Sequence, residues 1–106
     1  MKNFGKKALK LALAVDKEST IEHLVHFHKM ERKHAERLTR PIYSNASPLL
    51  LHETPYMIAY QLIHGYASPS LQTFKADQRM SHAIYEKALR NVSRDIVNAP
   101  RKKKTK

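Results

Sequence analysis

The sequence predicts an all-α fold: a small single-domain bundle of three to four helices with a long C-terminal helix and a disordered basic tail. Three observations lead there. No segment alternates apolar and polar side chains over a useful length, as a half-buried strand requires. Only two glycines occur in 106 residues. Leu71, Phe74, Gln78, His82, Tyr85, Leu89, Val92 and Ile96 recur instead at spacings of three and four, which describes one continuous helical seam. A chain of this length holds one domain, since folded units usually run to about 100–150 residues. The expected division is a helical domain over 1–99 and a tail over 100–106.

The first predicted helix covers 1–15. Asn3 to Val15 contain no acid, and Phe4, Ala8, Leu11, Ala12 and Val15 share one arc while Lys2, Lys6 and Lys10 point the other way. Such a basic amphipathic helix is read first as a domain element, with a membrane-surface or targeting segment as the alternatives. A secretory signal is not expected, because Lys10 interrupts the apolar run. A mitochondrial presequence stays open as an alternative, although such segments favour Arg and Ser over the Lys found here. The second helix, 18–39, opens on a capping box, Ser19 with Glu22 three residues later, and Asp16 and Glu18 add favourable charge near its start. Ile21, Leu24, Val25, His28, Ala35 and Leu38 form its apolar stripe, and Pro41 should end it by Arg40.

Pro41 to Glu53 reads as a loop, in which Leu49, Leu50 and Leu51 are apolar enough to lie across the core. Thr54-Pro55 then reads as a cap followed by proline at the first helical position, starting a third helix over 55–64 that Gly65 terminates. That helix is apolar nearly all round, which predicts a central position. Ser68-Pro69 repeats the signal and starts the long helix, 69–98, with Pro100 as its stop. Arg101 to Lys106 contains nothing apolar to bury and is expected to be disordered when free.

Twenty Lys and Arg stand against nine Asp and Glu, a net charge of +11. From Pro41 through Phe74 there is no Lys or Arg at all. The middle of the chain therefore supplies interior, and the flanking elements show one wall to the core and another to something negative. On the second helix His26, Lys29, Lys33, Arg37 and Arg40 fall within about an 80° arc. Lys87, Arg90 and Arg94 form a shorter line on the last helix, with Arg79 near its direction. Cations in rows at helical spacing can neutralise several phosphates at once. The competing reading is a solvated face with intrahelical pairs, Glu22 with His26 and Glu36 with Arg40. The charge excess favours nucleic acid, RNA or DNA, and the residues expected to carry binding are Lys29, Lys33, Arg37, Arg40, Lys87, Arg90, Arg94, Arg101, Lys102, Lys103 and Lys104.

Contact is expected to be mostly with phosphates. The cations are chiefly lysines and singly placed arginines, and Tyr56, Tyr60 and Tyr66 lie in the uncharged centre, away from them. A helix-turn-helix over Ile58 to Lys75 is a weaker alternative, because its turn is about two residues longer than the usual three or four.

With no cysteine, disulfides, thiol catalysis and thiolate-bound zinc are excluded. Seven histidines invite a metal, and Glu31 with His34 has the Glu-x-x-His spacing of di-iron bundles. The second pair that chemistry needs is missing, so no metal and no cofactor are expected, and His28 and His82 are read as seam residues needing hydrogen-bond partners. Nothing marks Ser81, His82 and Asp77 as a catalytic set. Enzyme activity is not expected. A second class of function is an adaptor that docks a protein partner or self-associates through an open helical seam. A third is attachment to an anionic membrane by Met1 to Val15, which the composition favours less. No run of about eighteen apolar residues exists, and a cytoplasmic setting is expected.

Overall fold

The chain passes through Val15 to Glu18 as unbroken helix. A computed structural model describes residues 2–44, 53–65 and 67–104, with side chains described for 8–44, 53–65 and 67–94. Helix α1 spans Lys2–His28, α2 Arg32–Ser44, α3 Pro55–His64 and α4 Leu71–Lys104. These four helices form a bundle, and no strand occurs among the described residues.

The predicted helices 1–15 and 18–39 are thus redivided. A capping box works only where its serine leaves the helix, and no Gly or Pro between Lys6 and Glu18 forces that. Ser19 lies buried in mid-helix with its hydroxyl 3.3 Å from His23 Nδ1. The break falls instead at Lys29 to Glu31. Lys29 takes a left-handed φ of +56°, and the Met30 N–H reaches back to the Leu24 carbonyl at 3.2 Å, closing the end of α1. A non-glycine residue in that conformation costs about 1 kcal/mol. The Met30 side chain offsets this by packing on the cluster of Ile21, Leu24, Ala35 and Ala59.

Helix α2 continues past the predicted stop at Arg40 and carries Pro41 inside it. The ring deprives one carbonyl of its donor, but the last turn is held by other bonds. The Tyr43 hydroxyl lies 3.0 Å from Thr20 Oγ1 on α1, and Ser44 Oγ donates to the Arg40 carbonyl at 2.6 Å. Leu49, Leu50 and Leu51 of the predicted loop lie outside the described residues.

Helix α3 forms where predicted. Thr54 Oγ1 accepts the Met57 N–H at 3.2 Å, Pro55 opens the helix, and Gly65 ends it at φ +72°, ψ −140°, a conformation open in practice to glycine alone. Its position differs from the expectation, for the central element is α1, which packs against each of the other three. Ala35, Ala59 and Ala88, fully buried, stand one each on α2, α3 and α4. Side chains that small let those helices approach α1 closely.

Helix α4 is capped by Ser70, not Ser68: Ser70 Oγ accepts the Thr73 N–H at 3.1 Å. At its other end the backbone stays helical through Pro100 to Lys104, where the sequence predicts a stop near Asn98 and a disordered tail. Proline's fixed φ of about −65° is itself helical, so the ring removes a hydrogen bond without forcing the chain out. The side chains of 95–104 and all of 105–106 lie outside the described residues.

The larger correction concerns which side of α4 is buried. Ile84 and Ala88 are buried and Asp77, Ser81 and Asn91 half-buried, whereas Leu71, Phe74, Tyr85 and Leu89 of the predicted seam are 67%, 36%, 38% and 44% exposed. The helix is rotated by about a quarter turn from the periodicity reading. Two polar contacts fix it there. The Tyr56 hydroxyl donates to Asp77 Oδ2 at 2.7 Å, and Ser81 Oγ lies 2.7 Å from His23 Nε2.

Candidate nucleic-acid interface

The carboxylates decide which positive charge is left unpaired. Arg32, at the start of α2, gathers three of them: Nη2 lies 2.8 Å from Glu18, Nη1 2.6 Å from Glu22 and Nε 3.0 Å from Glu36. The hydrogen bond that Arg32 donates to Glu18 leads the effects that raise its pKa and hold it cationic. Glu22 also faces Lys87 Nζ at 3.8 Å. Asp77 accepts from Tyr56, and Glu86 faces His82 Nε2 at 3.4 Å. Asp16 is buried, and burial raises its pKa to about 6. The predicted pairs Glu22 with His26 and Glu36 with Arg40 are replaced by the Arg32 cluster, because the break at Lys29 turns α2 back onto α1.

Lys33, Arg37 and Arg40 remain. All three are exposed on the side of α2 opposite its buried Ala35 and Thr39. Among the described residues no carboxylate lies within 4.0 Å of any of them. The predicted row is therefore shortened: His26 is left on α1 and Lys29 stands exposed in the break. On α4, Arg90 and Arg94 are exposed, and Arg94 lines a polar recess of about 350 Å³ with Arg32 and Glu18. Lys87 and Arg94 thus both border the Arg32 cluster, which brings the α4 line beside the start of the α2 line. Arg101, Lys102, Lys103 and Lys104 continue the backbone of α4, with side chains outside the described residues.

Arg32 was not legible as a hub from spacing alone. Glu18 with Glu22, and Arg32 with Glu36, each stand four apart, but joining the pairs requires knowing where the chain breaks.

The histidines are arranged differently from the expectation. His82 is exposed and His28 half-buried beside His64, with ring centroids 5.8 Å apart. Among the described residues the buried histidine is His23. Its Nδ1 lies 2.7 Å from the Ser19 carbonyl and must donate there, so Nε2 accepts from Ser81 Oγ. Burial lowers the His23 pKa, which preserves that neutral tautomer. Tyr56 packs edge-on against Phe27 and Phe74 at 5.5 and 5.7 Å, joining α1, α3 and α4. Over this knot opens a cleft of about 670 Å³ between the start of α3 and the outer side of α4. Among the described residues no three His, Asp or Glu side chains converge as a metal site would need.

The predicted helix-turn-helix elements are separated by six residues, 65–70, and the second is 34 residues long. A recognition helix is set on a shorter turn. No helix among the described residues is long and apolar enough to cross a membrane. No family model, curated protein or solved structure matches this chain significantly.

Proposed function

We propose that this protein binds nucleic acid, RNA or DNA, chiefly through phosphate contacts and without catalysis or cofactor, in a cytoplasmic ribonucleoprotein or viral assembly. The observation that supports this most directly is the sorting of charge around Arg32. Glu18, Glu22 and Glu36 turn toward Arg32, and Lys33, Arg37 and Arg40 stand outward with no carboxylate within 4.0 Å among the described residues. Concentrated, unopposed cations attract a polyanion and release its counterions. Lys29, Lys87, Arg90 and Arg94 extend the surface.

A gel-shift series over salt tests the reading. Contact with about six phosphates gives a log–log slope near about −5 on duplex DNA. Reversing charge in the K33E/R37E variant weakens binding alike on unrelated sequences. A flat salt series overturns the proposal.

A second reading has its own observation. Leu71, Phe74, Tyr85 and Leu89 leave an apolar stripe of α4 uncovered, which suits an adaptor docking a protein partner or a second copy. Membrane attachment by residues 1–15 gains less support, since Val15 is buried in the bundle and Leu9, Ala12 and Leu13 are partly so.

A further inference from the structure

The cleft between α3 and α4 has a chemistry that phosphate contact alone does not require. Tyr56, Pro55 and Tyr85 wall it, and Lys75 and Arg79 stand at its rim, exposed and one helical turn apart. Asp77 is bonded to the Tyr56 hydroxyl and Glu86 faces His82, and both keep their charge, as does Glu53 beside Thr54. Among the described residues neither Lys75 nor Arg79 has a carboxylate within 4.0 Å, so two unpaired cations stand at the rim. On the lining, Ser81 gives its proton to His23 Nε2 and keeps only acceptor capacity, while the Gln78 amide can donate and accept. A volume of about 670 Å³ lies in the range of small-ligand sites.

Pro55 and Tyr56 are buried and close the bottom of the cleft, so its free aromatic face is that of Tyr85. One exposed ring, a hydrogen-bonding floor and cations at the mouth suit a planar heterocycle carried on an anionic backbone. In a duplex the ring faces are hidden by stacking, so only an unpaired base can enter. We propose that the cleft takes one unpaired nucleobase, with its flanking phosphates on Lys75 and Arg79, giving the protein a preference for single strands. This rests on the nucleic-acid reading above and narrows it. The periodic seam of α4 is, on this proposal, exposed at Tyr85 because a base covers it in the complex. Stacking of one base on an aromatic side chain changes affinity by about tenfold or more.

Fluorescence anisotropy on the full chain, at one fixed salt, compares a labelled strand of about twelve mixed nucleotides with the same strand annealed to its complement. The wild type should hold the single strand more tightly, by about tenfold. Tyr85→Leu should remove that preference while leaving duplex affinity unchanged, and K75E/R79E, changed only at exposed positions, should remove it too. K33E/R37E should weaken both forms. A 2-aminopurine in the strand should change emission with the wild type and not with Tyr85→Leu. Equal affinity for the two forms, or a preference that survives both cleft variants, overturns the cleft and leaves the phosphate surface standing. Absence of binding to either form overturns both.

Discussion

Asp16 carries a carboxyl where water is scarce, and its behaviour follows from that alone. Burial raises its pKa from 3.8 to about 6. Burial, and behind it the charge of Asp16, also raises the Tyr43 and Tyr85 phenols. A folded-state pKa above the unfolded value means the folded chain holds the proton more tightly. Stability from this group is complete below pH 3.8 and is lost as pH rises through about 6. His23 works in the opposite direction: burial lowers its pKa below 6.5, so its contribution is present above that pH and is lost as pH falls. Asp16→Asn separates the two. Urea unfolding should show the variant more stable than wild type by about 1–3 kcal/mol at pH 7.5, with the gap closing near pH 4. A gap that is the same at both pH values would mean that the carboxylate is not desolvated. None of this was legible in the sequence, where Asp16 looks like a charge near a helix start. Thr54, Pro55 and Gly65 were legible, because cap, proline and glycine act on their own backbone and need no distant partner.

Helices were readable as helices; their ends and facing sides were readable only where a local signal set them. The start of α3 follows from Thr54-Pro55, but the end of α1 is set by Lys29, whose side chain carries no mark of a left-handed turn. Proline misled twice, at Pro41 and Pro100, because the helix continues where later bonds or a compatible φ permit. The rotation of α4 has a similar origin. Periodicity detects a stripe of large apolar side chains, whereas docking on α1 selected a narrower face of Ser81, Ile84 and Ala88, set by the bond to His23 and the closeness that alanine permits. Two substitutions one residue apart test this. Ala88→Leu should destabilise by about 1–3 kcal/mol through overpacking, and Leu89→Ala should change stability by less than about 1 kcal/mol. Thermal unfolding measures both, and the reverse order would restore the periodic seam as the buried one.

Charge joins these parts into a single behaviour. The excess of basic residues, and its absence from Pro41 to Phe74, was legible by counting, and it located the candidate surface on the helices that carry it. The cluster that frees that surface was not, since Glu18, Glu22 and Glu36 meet Arg32 only after the chain turns back. A net charge of +11 on a body with a radius of gyration of 15.0 Å repels itself. Salt then has two effects of opposite sign. Screening should relieve repulsion and raise the melting temperature of the free protein, by about 4–8 °C for each kcal/mol relieved. The same screening should weaken its hold on a nucleic-acid strand, so that an oligonucleotide raises the melting temperature at low salt and ceases to do so at high salt. Thermal scans with and without an oligonucleotide, at about 20 mM and 500 mM sodium chloride, read both effects at once. A melting temperature that falls with salt in the free protein would mean that attraction, through contacts such as those of Arg32, outweighs repulsion overall. Repulsion among the outward cations would then be too weak to set the stability of the free protein, and only the oligonucleotide scans would report on the binding surface.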